Sequence, residues 1–315
     1  NNNAYIYMAI RRPHKPPEAG TDVFAVDNQG TGTMPPQYHS NFVVDWAFNV
    51  AFNESQAYRY RLNFTRLLGG TALKINETSA EINFSSARWD YMDGFYNNNS
   101  SVSTTYAWMF KRAPGVFDAV SYTGTGSART VDHNLGVAPE FMIVRARNIS
   151  ENWPTYNSTD GATKGMFLNS SNDPFTFNFW NSTAPTATQF TVATDNAVNG
   201  NTKTYIAYLF ATLDGISKVG SYSGTGNAIN VDCGFTNGAR FVLIKRTDAN
   251  GDWYVWDSTR GIVSGNDPYF LLNTDGTDVT NTDYIDPLNA GFTVTSSAPA
   301  ALNTSGGTYL FLAIA

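Results

Sequence analysis

Ser121-Tyr122-Thr123-Gly124-Thr125-Gly126 returns as Ser221-Tyr222-Ser223-Gly224-Thr225-Gly226. The same offset carries Phe141-Met142-Ile143-Val144-Arg145 onto Phe241-Val242-Leu243-Ile244-Lys245 and Trp153 onto Trp253. Self-similarity at a fixed period is the signature of a repeated structural unit. Further on, Phe190-Thr191-Val192 aligns with Phe292-Thr293-Val294 after a small insertion in the later copy. A more diverged copy lies upstream, where Gly30-Thr31-Gly32 and Asn41-Phe42-Val43-Val44-Asp45 take the corresponding places before Trp89 and Phe95.

Working outward from this repeat, an apolar closing strand recurs four times. It reads Tyr5-Ile6-Tyr7-Met8-Ala9-Ile10, Tyr106-Ala107-Trp108-Met109-Phe110-Lys111, Tyr205-Ile206-Ala207-Tyr208-Leu209-Phe210 and Tyr309-Leu310-Phe311-Leu312-Ala313-Ile314. Residues 1–12 are therefore expected to end an upstream module and to supply a linker, with modules at 13–113, 114–212 and 213–315. Arg11-Arg12-Pro13, Ala113-Pro114-Gly115 and Leu213-Asp214-Gly215 are short linkers, because Pro and Gly stop strands. The modules should sit close together.

Inside the second copy, eight apolar or β-branched runs follow one another between polar turns: 117–122, 128–133, 140–147, 153–156, 164–168, 175–180, 189–193 and 204–211. That density of short strands predicts an all-β chain of tandem antiparallel β-sandwich modules, jelly-roll-like in strand number. Composition agrees, since 42% of the 315 residues are hydrophobic, 14% aromatic and 15% charged, which excludes disorder and charged helical bundles. The closing strands are apolar on both alternating faces, whereas a strand with one wet face alternates apolar and polar. A neighbouring module or a neighbouring chain must cover the second face.

The net charge of −6 with dispersed Lys and Arg excludes a nucleic-acid footprint. The longest apolar runs, 205–211 and 309–315, fall far short of the ~20 residues a membrane helix requires. The single cysteine, Cys233, reads as a small residue at a strand end. Gly124-Thr125-Gly126 reads as a hairpin or bulge, because a strand rather than a helix follows it and a phosphate cradle needs the helix N-terminus. His14, His39 and His133 lack zinc-site spacing, and His133 has no nucleophile partner. Asp248-Ala249-Asn250-Gly251-Asp252 superficially suggests half of a calcium loop, but the full spacing is absent and an Asn-Gly turn is expected. Acid/base carboxylates would have to come from the first copy, from Glu54, Glu77 or Glu81.

Neither a catalytic set nor a cofactor or metal site is expected, and no enzyme activity. Trp153 and Trp253 are expected in core or turn packing. Trp256 and Trp180 are the candidate surface aromatics for stacking on a sugar ring. The Asn-x-Ser/Thr matches at Asn63, Asn76, Asn83, Asn148, Asn157 and Asn181 are expected on turns and edge strands without sugar.

The stretch from Phe117 to Gly126, followed by His133-Asn134-Leu135-Gly136-Val137-Ala138-Pro139-Glu140-Phe141-Met142-Ile143-Val144, resembles a repeated module of bacteriophage tail and virion structural proteins, especially of marine phages. The resemblance covers nearly the whole chain. It implies a virion structural protein on the particle surface or tail and outside the cell: the C-terminal part of a tail fibre, spike or surface fibre with an adhesive, host-recognition role. Its implied partners are other virion proteins, further copies of itself (a homo-oligomer, by analogy a trimer), and a host surface glycan or protein. The departures are that the first copy lacks Asn-Leu-Gly-Val-Ala-Pro and the third has Cys233-Gly234-Phe235-Thr236-Asn237-Gly238 there, so no shared catalytic loop is implied. The alternatives are a polysaccharide-degrading or carbohydrate-binding protein and a bacterial surface adhesin or filament subunit.

Overall fold

The computed structural model describes residues 15–28, 36–52, 61–97 and 105–315. The strand expected at Tyr5–Ile10 lies outside them. The chain is all-β, and its strands form three large antiparallel sheets with the same order. In the first, neighbours run Phe24–Asn28, Thr105–Phe110, Trp46–Ala51, Arg61–Thr65, Thr71–Lys74 and Ile82–Asn83. In the second they run Phe117–Thr123, Thr204–Phe210, Phe141–Ala146, Pro154–Asn157, Lys164–Phe167 and Phe175–Thr176. In the third they run Ser217–Ser223, Thr308–Ile314, Phe241–Arg246, Trp253–Asp257 and Phe270–Leu271.

Each large sheet carries a smaller one on one face. These pair Tyr38–His39 with Gly94–Phe95 and Arg129–Asp132 with Gln189–Val192, and place Gly291–Val294 between Ile229–Asp232 and Ile285–Leu288. The modules are thus sandwiches of two unequal sheets.

All eight runs read from the second copy are strands. One of them, expected to reach Trp180, stops at Thr176. Beyond it Phe179 and Trp180 turn into the core, and Asn181 and Ser182 have φ of 50° and 49°, a left-handed turn that breaks any strand. In the first copy the strand corresponding to Phe141–Ala146 is Trp46–Ala51 rather than Asn41–Asp45. Registers set this: Trp46 opposes Phe110 of the closing strand as Phe141 opposes Phe210. Phe42 and Val44 instead fill the module's interior, and Asp45 accepts from Arg112 N and bridges to the Arg112 guanidinium.

The closing strands explain the architecture. In Thr204–Phe210, Tyr205, Ala207 and Leu209 face the core between the module's own two sheets. Ile206, Tyr208 and Phe210 face the other way, into a cluster shared by all three modules. Thr308–Ile314 divides likewise, with Tyr309, Phe311 and Ala313 inward to its module and Leu310, Leu312 and Ile314 to the shared cluster. So does Thr105–Phe110, with Ala107 and Met109 against Trp108 and Phe110. The three large sheets therefore pack face to face around a pseudo-threefold axis. The cover for each second face comes from the neighbouring modules of the same chain.

The ring closes. Gly20, at the start of the first module, lies so near the end of the third that a Cβ there would stand 1.7 Å from Ala315 O.

The two Gly-Thr-Gly segments among the described residues are close-approach points. A Cβ on Gly124 would stand 2.2 Å from Gly200 O, and one on Gly224 2.2 Å from Thr304 O. We expect Gly124→Ala to destabilise by several kcal/mol, on the order of a local strain plus a backbone shift. Gly136→Ala, where φ is +81° but the space is open, should cost only about 1 kcal/mol. Thermal denaturation of the two variants gives the comparison.

Candidate functional site

The sequence-level candidates resolve into structural roles. Trp180 and Trp256 are both 0% exposed, which removes them as surface platforms for a sugar. Trp180 packs on Tyr156 and Phe179 and donates to Lys164 O at 3.2 Å. Trp256 stacks on Tyr254 and packs at a tilt against Tyr269 inside the third module. The inside/outside alternation of its strand is not readable from sequence, because Trp253–Asp257 is buried on both faces.

Glu77 pairs with Lys74 and Ser79, and Glu81 with Arg147 of the second module at 2.9 Å. Neither is a free acid or base. Glu54 and His14 lie outside the described residues. Asp248 is paired with Arg246 at 2.9 Å and accepts from Thr308 N. The Arg246 hydrogen bond holds its carboxyl down at about 2. Asp252 accepts from Asn273 Nδ2, so both carboxylates of Asp248–Asp252 are committed to protein partners. Among the described residues, no three Asp, Glu, His or Cys side chains are grouped to hold a metal.

His133 is buried between Thr186 O, 3.1 Å from Nε2, and the Leu135 amide, which donates to Nδ1; burial lowers its pKa. His39 sits exposed on the short strand Tyr38–His39. The Thr125 amide donates to Asn199 Oδ1 and the Gly126 amide to Asn199 O, and in the third module Asn303 Oδ1 takes both equivalent amides. The donors a phosphate would need are already committed. Asn63 and Asn157 are buried and not on turns or edges.

Burial pushes the Cys233 thiol up to about 12. Since the thiolate is the reactive form, native protein should resist maleimide over hours and react once unfolded by urea. Stoichiometric labelling without denaturant would contradict the fold around Val231–Gly291.

What the chain does build, at positions related by the pseudo-threefold, is a set of three seams. At the first, Trp153 Nε1 donates to Lys74 O at 3.2 Å and Glu77 O at 3.1 Å. At the second, Trp253 Nε1 donates to Phe167 O at 3.1 Å. At the third, Arg61 stands at the corresponding strand position, and its Nε donates to Leu271 O at 3.2 Å. Lys74, Phe167 and Leu271 are themselves equivalent, opposing Leu62, Pro154 and Tyr254. Each module thus docks the same edge onto the previous one in a head-to-tail contact that closes after three.

A fully buried cation reinforces every seam. Arg145 donates to Thr78 O at 2.8 Å and to Ser79 O, and Lys245 Nζ donates to Ser171 O at 2.9 Å. Both lie over their own module's tryptophan, at 5.3 and 5.9 Å. Burial lowers Arg145 to about 10 and Lys245 to about 8. At the third seam Val50 occupies the corresponding strand position, and Arg61 itself supplies the charge, with Nη2 2.6 Å from Gly276 O and the guanidinium over Phe270. This seam adds a buried pair: Arg260 Nε is 2.6 Å from Asp257 Oδ2, which also accepts from Trp108 Nε1 at 3.1 Å.

On the axis, Asn63 Nδ2 donates to Tyr208 OH at 2.7 Å and Asn63 Oδ1 accepts from Trp46 Nε1. The axial cavity beside them, lined by Phe141, Phe241, Leu243 and Leu312 among others, measures about 20 Å³. That is room for about one water molecule, not for a cofactor or substrate.

The sequence signals for the seams were the paired tryptophans and the Arg145/Lys245 position closing an otherwise apolar strand. No alternation rule says what such a cation meets.

Residues 64–315 match the family model of a domain of unknown function, DUF7483. The chain belongs to the DUF7483 family. That match takes in the second and third modules whole and the first from Phe64, near the end of its strand Arg61–Thr65, onward. No curated protein matches the chain. No helix among the described residues is long and apolar enough to cross a membrane.

Proposed function

We propose that this DUF7483 chain is a structural element of a bacteriophage particle, part of a tail fibre, spike or surface fibre that takes part in host recognition. The observation that carries a structural reading is the shared axial cluster. Apolar faces of three sandwiches are spent on one another, and the buried cations are spent on seams rather than on a cleft. A particle surface element needs a rigid block that survives outside the cell, and large shared cores supply that. The resemblance of 117–144 to phage virion modules gives the block its setting. Its proposed partners are other virion proteins and a host surface glycan or protein. Further copies of the chain would have to meet on the outer surface, since the inner sheet faces are taken.

The test is direct. Antibodies against residues 114–315 should label purified particles of the phage that encodes the chain, and the purified chain should bind host cells without releasing sugar products. Unlabelled particles would remove the virion assignment. Liberated oligosaccharides would move it to the polysaccharide-degrading alternative.

A further inference from the structure

Asp267 lies in the third module, in the stretch between Trp253–Asp257 and Phe270–Leu271, and it is 0% exposed. Its Oδ1 accepts from the Val263 amide at 2.7 Å, closing the turn 263–267, and its own amide donates to Thr282 O at 2.8 Å. Its Oδ2 is buried with no hydrogen-bond partner. Across from it, Thr282 Oγ1 and Asp283 Oδ1, on the stretch leading into Ile285–Leu288, and Asp286 Oδ1, within that strand, are also buried and unpartnered. Four buried oxygens without a hydrogen-bond partner therefore lie on this turn and on the segment it meets, beside a strand that, among the described residues, the third module alone adds to its small sheet.

An ionised carboxylate out of water without a cation or enough donors is strongly disfavoured. The charges acting on Asp267 are both negative, Asp283 and Asp286; of the two amides that favour its anion, Val263 N is bonded to Oδ1, while Ile285 N lies near the carboxyl without forming a hydrogen bond to Oδ2. Among the described residues no three carboxylates are placed to share a metal. A proton is the remaining way to neutralise the group.

We propose that Asp267 is a proton-operated latch. As the neutral acid it holds the 261–268 turn against 282–286, and on ionisation repulsion from Asp283 and Asp286 releases that turn while the axial core stays intact.

Burial, aided by the two acids, raises the Asp267 carboxyl to about 7, against about 3.9 in an unfolded chain. A raised folded-state value means that the native state holds the extra proton. The latch's contribution is complete below the unfolded value and is lost as pH rises through about 7.

Hydrogen exchange on the full chain reads this at one place. The Val263 amide, on a residue 47% exposed, owes its protection to Asp267. After correction for the intrinsic rate, its protection should fall more than about tenfold between about pH 5.5 and about pH 8.5. The amides of Thr204–Phe210 should keep theirs. Asp267→Asn, which retains the acceptor for Val263 N, should abolish the pH dependence. Should that variant fail to fold, the double variant Asp283→Asn/Asp286→Asn must still move the midpoint to lower pH. pH-independent protection in the wild type, or unchanged pH dependence in Asp267→Asn, overturns the latch. So does recovery of protection at about pH 8.5 on adding calcium chloride, which would instead make this a cation site.

Discussion

Residues 114–212 expressed alone will not give a folded monomer. In the whole chain the axial face of this module buries Phe117, Phe141, Ile143, Ile206, Tyr208 and Phe210 against the other two modules. Burying one such side chain stabilises by about 1.5–3 kcal/mol, so exposing six sacrifices about 10 kcal/mol or more. That rivals the whole net stability of an ordinary domain, about 5–15 kcal/mol. The expected result is loss of near-ultraviolet dichroism, dye binding and aggregation, read by circular dichroism and size-exclusion chromatography.

The second module also carries both halves of a seam, donating from Trp153 and accepting at Phe167 O. Any folded species of the fragment should therefore be a trimer that rebuilds the axis from three copies. A monomer with a cooperative unfolding transition would show that the modules are independent beads and that the axial cluster adds little. The same logic bears on host binding, because the modules cannot be removed one at a time as separate ligands. A loss of binding on truncation would report collapse of the block rather than reduced avidity.

Asp257→Ala should be the most damaging single polar substitution, lowering stability in urea denaturation by about 3–5 kcal/mol. Asp257 is completely buried at the third seam and neutralises Arg260, whose guanidinium lies 5.0–5.2 Å from the rings of Phe52, Trp108 and Phe270. Removing the carboxylate strands that cation in an aromatic enclosure and leaves the Trp108 N–H without its acceptor. Replacing both charges, as Asp257→Leu with Arg260→Met, should cost markedly less. The penalty then reduces to the donors that Asp257 served, chiefly the buried Trp108 indole N–H at about 1–3 kcal/mol, with the part-buried Thr259 and Arg260 amides beside it. If the double variant is as unstable as the single one, packing rather than charge compensation holds this seam.

Much of this molecule was legible in the sequence because short-range physics wrote it there. The period of the repeat, the eight strands of 114–212 and the glycines at 124 and 126 follow from alternation, β-branching and turn stereochemistry. These act over a few residues and leave local marks. Even the double-sided apolar closing strand announced that something covered its second face.

What covered it was a tertiary matter. Tyr205 and Ile206 are equally apolar neighbours in sequence, and only packing decides that one serves its own sandwich and the other the common axis. Trp256 and Trp180 looked available because a tryptophan's exposure depends on which sheets close over it, and both were closed over. Arg145, Lys245 and Arg61 illustrate the limit most plainly. A cation at the end of an apolar strand reads as a solvated tip, yet here it meets backbone carbonyls of the neighbouring module, some of them distant in the chain. The sequence by itself determined the strands and their repetition, through interactions between near neighbours. The tertiary structure alone decided that three repeats form one closed body, because that depends on contacts such as Arg61 with Leu271 and Gly20 with Ala315, which no local pattern encodes.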